Sequence, residues 1–136
     1  MKEFRVILVD DNEPFRKALK NLLVFEFGAK IIGEAANGEE FNKLDNVHEA
    51  DIIFMDIMMP GINGIELTQK SLWKYPHLKI VAITMHSDKV YIKSLIEAGF
   101  KGCILKTDLV SGISKALQNI LKGGLYFPSE INLFSE

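Results

Sequence analysis

Three aspartates, a threonine and a lysine stand where four apolar runs of this chain stop. Val6-Ile7-Leu8-Val9 runs into Asp10-Asp11, and Ile52-Ile53-Phe54-Met55 runs into Asp56. Ile80-Val81-Ala82-Ile83 runs into Thr84, and Cys103-Ile104-Leu105 into Lys106. Carboxylates crowded together repel unless a cation neutralises them. An all-oxygen set favours a hard ion, and Mg²⁺ typically uses one or two carboxylates while keeping waters. A carboxylate beside such an ion can also attack phosphorus and form an aspartyl phosphate. Phosphoryl transfer needs mainly positioning and charge neutralisation, which Mg²⁺ and Lys106 together could supply, with Thr84 hydrogen-bonding a phosphoryl oxygen.

That chemistry requires the run ends to meet. Short, continuous apolar runs suit strands buried on both faces, as in parallel sheets. Parallel neighbours end on a common edge, and open α/β sheets place their sites in the crevice beyond it. Helical spacing fills the gaps. Asn12 can cap a helix with Pro14 in its first turn, a stripe at Phe15, Ala18, Leu19 and Leu22, and Gly28 as its stop. Lys30 to Ala36 reads as a less apolar edge strand, and Asn37 to His48 as a weak helix through Phe41 and Leu44. Pro60 to Gly64 is a loop by composition, with Asn63 capping a helix that Pro76 ends. Asp88 to Ala98 carries Tyr91, Ile92, Leu95 and Ile96 on one face, closed by Gly99. Asp108 to Lys122 carries Ile113, Ala116, Leu117, Ile120 and Leu121, closed by Gly123. Strand and helix alternate five times, which implies an α/β fold with a parallel sheet, helices on both faces and right-handed crossovers.

A chain of 136 residues is one domain on the usual scale of roughly 100–200 residues. A net charge of −2 gives no electrostatic reason to expect nucleic acid or anionic membrane as a partner of this chain alone. The single cysteine, Cys103, excludes an internal disulfide and a Cys-rich metal cluster. No apolar run approaches the roughly 18 residues of a membrane span, and the start of the chain does not read as a signal peptide. A cytoplasmic location is expected. Taken singly, the site residues have ordinary readings: an aspartate after a strand often caps a helix, and Lys106 could snorkel from the sheet edge. Their joint placement at four strand ends is what singles them out. Met58 and Met59 read as packing and loop residues, because Mg²⁺ avoids sulfur. His48 and His77 read as solvated loop residues, and Cys103 as a small buried hydrophobe.

The segments VILVDDNEPFR (6–16), MDIMMPGINGIEL (55–67), VAITMH (81–86) and AGFKGCILK (98–106) resemble receiver domains of two-component response regulators. The resemblance implies a flavodoxin-like (βα)5 three-layer sandwich with a sheet of order 2-1-3-4-5. It implies Asp56 as phosphoacceptor, fed by a sensor histidine kinase. Mg²⁺ would be held by Asp10, Asp11, Asp56 and the Met58 carbonyl, with Asp11 the direct ligand of the acidic pair and Asp10 acting mainly through water. Thr84 and Lys106 would bind the phosphoryl group and start the switch, which is read on the face of the fourth helix, fifth strand and fifth helix. Met58 and His86 would modulate dephosphorylation. The protein would be a switch rather than an enzyme.

Two departures from the family stand out. Cys103 occupies the switch position where Tyr or Phe is usual, and Thr107 follows Lys106 where Pro is usual, which leaves the isomer of that peptide bond open. Thr107, the KALQNILKGGLYFPSEI stretch (115–131), Met58 and His86 look most like LuxR-type (NarL/FixJ) regulators. These imply a phosphorylation-dependent homodimer and a helix-turn-helix domain that meets DNA beyond this chain. Residues 1–124 are then the receiver and 125–136 a linker or tail, in a fragment or a stand-alone regulator. An aspartyl phosphohydrolase is the alternative from another class, although its usual second acid would stand at Met58. A flavodoxin-like cofactor binder is disfavoured, because Asp10-Asp11 replaces the Gly-rich phosphate loop after the first strand.

Overall fold

The computed structural model describes residues 3–59, 61–85 and 89–128. The chain runs β1 (Phe4–Val9), α1 (Glu13–Phe27), β2 (Ala29–Ala35), α2 (Gly38–Asn42), β3 (Ile52–Asp56), α3 (Gly64–Lys74), β4 (Ile80–Thr84), α4 (Lys89–Ala98), β5 (Gly102–Leu105) and α5 (Leu109–Ile120). All strand pairs are parallel, and the order is β2-β1-β3-β4-β5, as the resemblance implied.

The apolar runs become central strands because alternate side chains bury on opposite faces. Ile7, Val9, Ile53, Met55, Ile80, Ala82 and Cys103 enter one core with Phe41, Leu67, Ile92 and Leu95 from α2, α3 and α4. Val6, Leu8, Ile52, Phe54, Val81, Ile83 and Ile104 enter a second core with Leu19, Leu23, Ile113, Ala116 and Ile120 from α1 and α5. A strand with polar residues on either face could not occupy these middle positions. β2, with its mixed pattern, lies at the edge.

Asparagines start the three helices that follow β1, β2 and β3. Asn12, Asn37 and Asn63 accept hydrogen bonds from the backbone N–H groups of Phe15, Glu40 and Glu66, each worth about 1 kcal/mol. Gly28, predicted as the stop of α1, is its left-handed C-cap, and α3 ends at Lys74, before Pro76.

Several expectations shift. Ala18 is exposed, while Leu19 and Leu23 bury; at about 100° per residue Ala18 turns away from their shared face. Ile96 flanks the buried face of α4 and remains 37% exposed. The weak helix over 37–48 is only α2 followed by a 3-10 turn at Val47–Glu49. Lys106–Asp108 forms a 3-10 turn before α5, so that helix begins later than predicted.

The stretch after α5 also has structure. Tyr126 pairs in parallel with Gly102 on the β5 edge; its N–H donates to the Lys101 carbonyl at 3.1 Å, and its carbonyl accepts from Cys103 N–H at 2.9 Å. Tyr126 packs toward the α5 core and Phe127 toward the α4 core. Gly102 permits this approach, since a Cβ there would lie 2.6 Å from the Tyr126 carbonyl oxygen. Residues 129–136 of the predicted tail, Asp88 at the predicted start of α4 and Pro60 of the predicted loop lie outside the described residues.

Candidate functional site

Register brings the strand ends together. Val9 stands beside Met55, so the next residue, Asp10, comes level with Asp56. Asp56 stands beside Ile83, and Thr84 beside Leu105, which sets Lys106 one step farther out. Carboxylate oxygens of Asp10, Asp11 and Asp56 all lie within 4.8 Å of one another. Asp10, Asp56 and Thr84 are buried, whereas Asp11 is exposed. Lys106 Nζ sits 3.7 Å from Asp10 Oδ2 and 3.8 Å from Asp56 Oδ1. An open cleft of about 360 Å³ exposes this edge, lined by Asp11, Asn12, Asp56, Met58, Thr84, Met85 and Lys106.

The cluster is electrostatically unfavourable as it stands. Burial raises the Asp56 pKa to about 6; the Asp10 charge adds to the rise and Lys106 opposes it. Burial likewise raises Asp10, against the Asn12 backbone hydrogen bond and Lys106. One ammonium facing three carboxylates leaves negative charge uncompensated. A hard divalent cation fits this donor set, which offers clustered carboxylate oxygens open to solvent on the Asp11 side.

Local structure holds the groups in place. Gly64 opens α3 directly against the end of β3, where a Cβ would stand 2.3 Å from the Asp56 carbonyl oxygen. The Gly64 N–H donates to the Ile57 carbonyl at 2.9 Å and fixes the loop that leaves Asp56. Asn12 N–H donates to Asp10 Oδ1 at 2.8 Å. Arg16 donates to the Asp10 carbonyl at 2.6 Å and pairs with Glu34 at 3.2 Å. Lys20 shares Glu34 at 2.9 Å, and these two cations outweigh burial to hold the Glu34 pKa below its usual value.

Asp10, Asp11, Asp56, Met58, Thr84 and Lys106 lie at or beside this edge, and Cys103 does not. Met58 projects its side chain from the rim, 66% exposed. Cys103 is fully buried in the middle of β5, away from the cleft. The peptide bond between Lys106 and Thr107 is trans. His86 lies outside the described residues. Sequence reasoning did not find the support given by Arg16 and Glu34, or the Phe15 ring, whose centroid lies 4.4 Å from Lys106 Nζ. Arg16 stood within the DDNEPFR segment, but nothing in the spacing joined this helix residue to Glu34 on β2.

Residues 6–118 match the response regulator receiver domain model. The chain is 32% identical over 126 residues to the response regulator UvrY of Escherichia coli, covering 93% of this chain and 58% of that protein. It is 28% identical over 136 residues to the transcriptional regulatory protein DegU of Brevibacillus brevis, covering 98% and 58%. The chain therefore spans less than two thirds of the curated relatives it matches. Among solved structures, a LuxR-family two-component response regulator from Aurantimonas superposes with a TM-score of 0.87 at 28% identity, covering 96% of this chain and 93% of that one. The receiver domain of a response regulator NarL from Mycobacterium tuberculosis superposes at 0.79 with 25% identity, covering 90% and 99%.

Proposed function

The chain belongs to the response regulator receiver domain family, and from that premise we propose that Asp56 accepts a phosphoryl group from a sensor histidine kinase in a Mg²⁺-dependent step. The observation that carries this reading is the meeting of Asp10, Asp11 and Asp56 within 4.8 Å, with the Lys106 amine beside them and Thr84 lining the same cleft. Asp56, raised to about 6, is largely ionised at neutral pH and so available as a nucleophile. Its carboxylate oxygen attacks phosphorus, the bond from phosphorus to the donor imidazole nitrogen breaks, and that nitrogen keeps the electron pair. Asp10, Asp11, Asp56 and the Met58 carbonyl would hold Mg²⁺, which offsets charge among the carboxylates and on the incoming phosphoryl oxygens. Lys106 supplies the fixed positive charge on the other side, and the Thr84 hydroxyl donates to a phosphoryl oxygen.

The new acyl phosphate adds negative charge and strong acceptors. Thr84 and Lys106 sit at the ends of β4 and β5, so their movement toward it reaches the α4-β5-α5 face. With Cys103 in place of the usual aromatic, that relay runs through the backbone and packing of β5. Met58, on the rim of the cleft, would modulate access of water to the phosphoryl group, and the family resemblance gives His86 the same role. The likeness to UvrY, DegU and LuxR-family proteins supports a regulator that dimerises on phosphorylation in the cytoplasm and meets DNA through a helix-turn-helix domain outside residues 1–136. Residues 125–136 would then serve as the linker or C-terminal tail, starting from the Tyr126 contact with β5. Incubation with acetyl phosphate and Mg²⁺ should give one retarded band on Phos-tag gels, and beryllofluoride should increase self-association in sizing experiments. Labelling that persists in Asp56→Asn would sink the assignment.

A further inference from the structure

We propose that Phe15 is a positioning residue for the Lys106 amine, holding it over the carboxylates through a cation–π contact so that it meets the phosphoryl group already oriented. The inference rests on the reading of Asp56 as phosphoacceptor. The two carboxylates attract Lys106 but do not fix it: distances of 3.7 and 3.8 Å exceed the usual hydrogen-bond range of roughly 2.7–3.2 Å. Lysine is a flexible, strongly hydrated point charge, and the Lys106 side chain is 22% exposed. A third contact must keep it from swinging to solvent. The Phe15 ring provides one, with its centroid 4.4 Å from Nζ, well inside the roughly 6 Å over which the ring quadrupole attracts a cation.

The ring is itself tied to the site. Phe15 N–H donates to Asn12 Oδ1 at 2.9 Å, and Asn12 N–H donates to Asp10 Oδ1 at 2.8 Å. The next residue, Arg16, holds the Asp10 carbonyl at 2.6 Å. The first turn of α1 thus fixes the Phe15 backbone relative to the same aspartate that Lys106 faces. The half-buried ring packs against the core shared by α1 and α5, while the Lys106 amine lies over the ring. Leucine would keep much of that packing and lose the π face.

The test separates the amine from the metal. In Phe15→Leu, beryllofluoride affinity in the presence of Mg²⁺ should fall about fivefold, the size expected of a partly shielded cation–π contact. Mg²⁺ affinity should stay within about twofold, and Phe15→Tyr and Phe15→Trp should restore wild-type behaviour. In a Lys106→Ala background, Phe15→Leu should have no further effect. In NMR spectra the Lys106 ε-methylene protons of the wild type should be displaced upfield by the ring, and that displacement should disappear in Phe15→Leu. Wild-type beryllofluoride affinity in Phe15→Leu would overturn the proposal, as would an equal loss in the Lys106→Ala background or a parallel loss of Mg²⁺ affinity. Asp56→Asn separates the two claims. Its loss of beryllofluoride binding keeps the phosphoacceptor reading whatever Phe15 does, and its retention of binding would overturn that reading first.

Discussion

The edge between β1 and β3 and the flank of β5 are built from different materials. At β1 and β3 the parts are side chains: buried carboxylates level with each other on neighbouring strands, where burial, and after it the Asp10 charge, raise Asp56 to about 6. At β5 they are largely backbone: Cys103 contributes a small buried side chain, and the contact with the C-terminal stretch is made by the amide and carbonyl of Tyr126. The first region holds electrostatic strain, since each carboxylate makes its neighbours costlier. The second is relaxed, apolar and paired. A charge-driven switch benefits from that division, because a phosphoryl group can reorganise the strained end while the relaxed end transmits movement.

Two glycines allow this comparison to be broken one side at a time. Gly64→Ala places a Cβ against backbone at the end of β3 and should destabilise the fold by about 3 kcal/mol, with loss of phosphorylation. Gly102→Ala meets the Tyr126 carbonyl and the end of Ile120. It should cost about 1–2 kcal/mol, spare phosphorylation by acetyl phosphate and speed hydrogen exchange at the Tyr126 amide. Denaturant melts and exchange mass spectrometry check both. Equal costs, or loss of phosphorylation in Gly102→Ala alone, would erase the distinction.

Strain at the carboxylates should also appear as pH dependence. A pKa raised in the folded state favours the protonated form, so the contribution of Asp56 to stability is full below its unfolded value of 3.8 and is lost as pH rises through about 6. A cation that relieves the crowding should therefore raise the melting temperature more at pH 7.5 than at pH 5. At roughly a hundredfold excess over its dissociation constant the gain would be about 2.7 kcal/mol. An equal gain at both pH values would contradict the assigned strain. The smallest effect belongs to the exposed Lys17–Glu13 pair at 3.3 Å, where Lys17→Ala should change stability by less than about 0.5 kcal/mol in chemical denaturation.

The site was far more legible in the sequence than its supports. Asp10, Asp56, Thr84 and Lys106 announce themselves because buried parallel strands need unbroken apolar runs, and a polar residue marks where each run leaves the core. Asn12 and Asn63 were readable as caps because capping is local. By contrast, α2 is short and carries one fully buried large side chain, Phe41, so periodicity overextended it. Pairing of Tyr126 with β5 is a backbone event that depends on Gly102 having no side chain, and no apolar pattern encodes it. The approach of Phe15 to Lys106 joins α1 to the end of β5, residues far apart in sequence that only the fold brings together.

The central claim, that Asp56 is the phosphoacceptor of this edge, is tested most directly by locating the phosphoryl group. Tandem mass spectrometry after acetyl phosphate and Mg²⁺ should place one phosphoryl group on Asp56. The modification should vanish when the metal is chelated and in Asp56→Asn. A phosphoryl group found on another residue, or one that forms undiminished without divalent metal, would contradict the account.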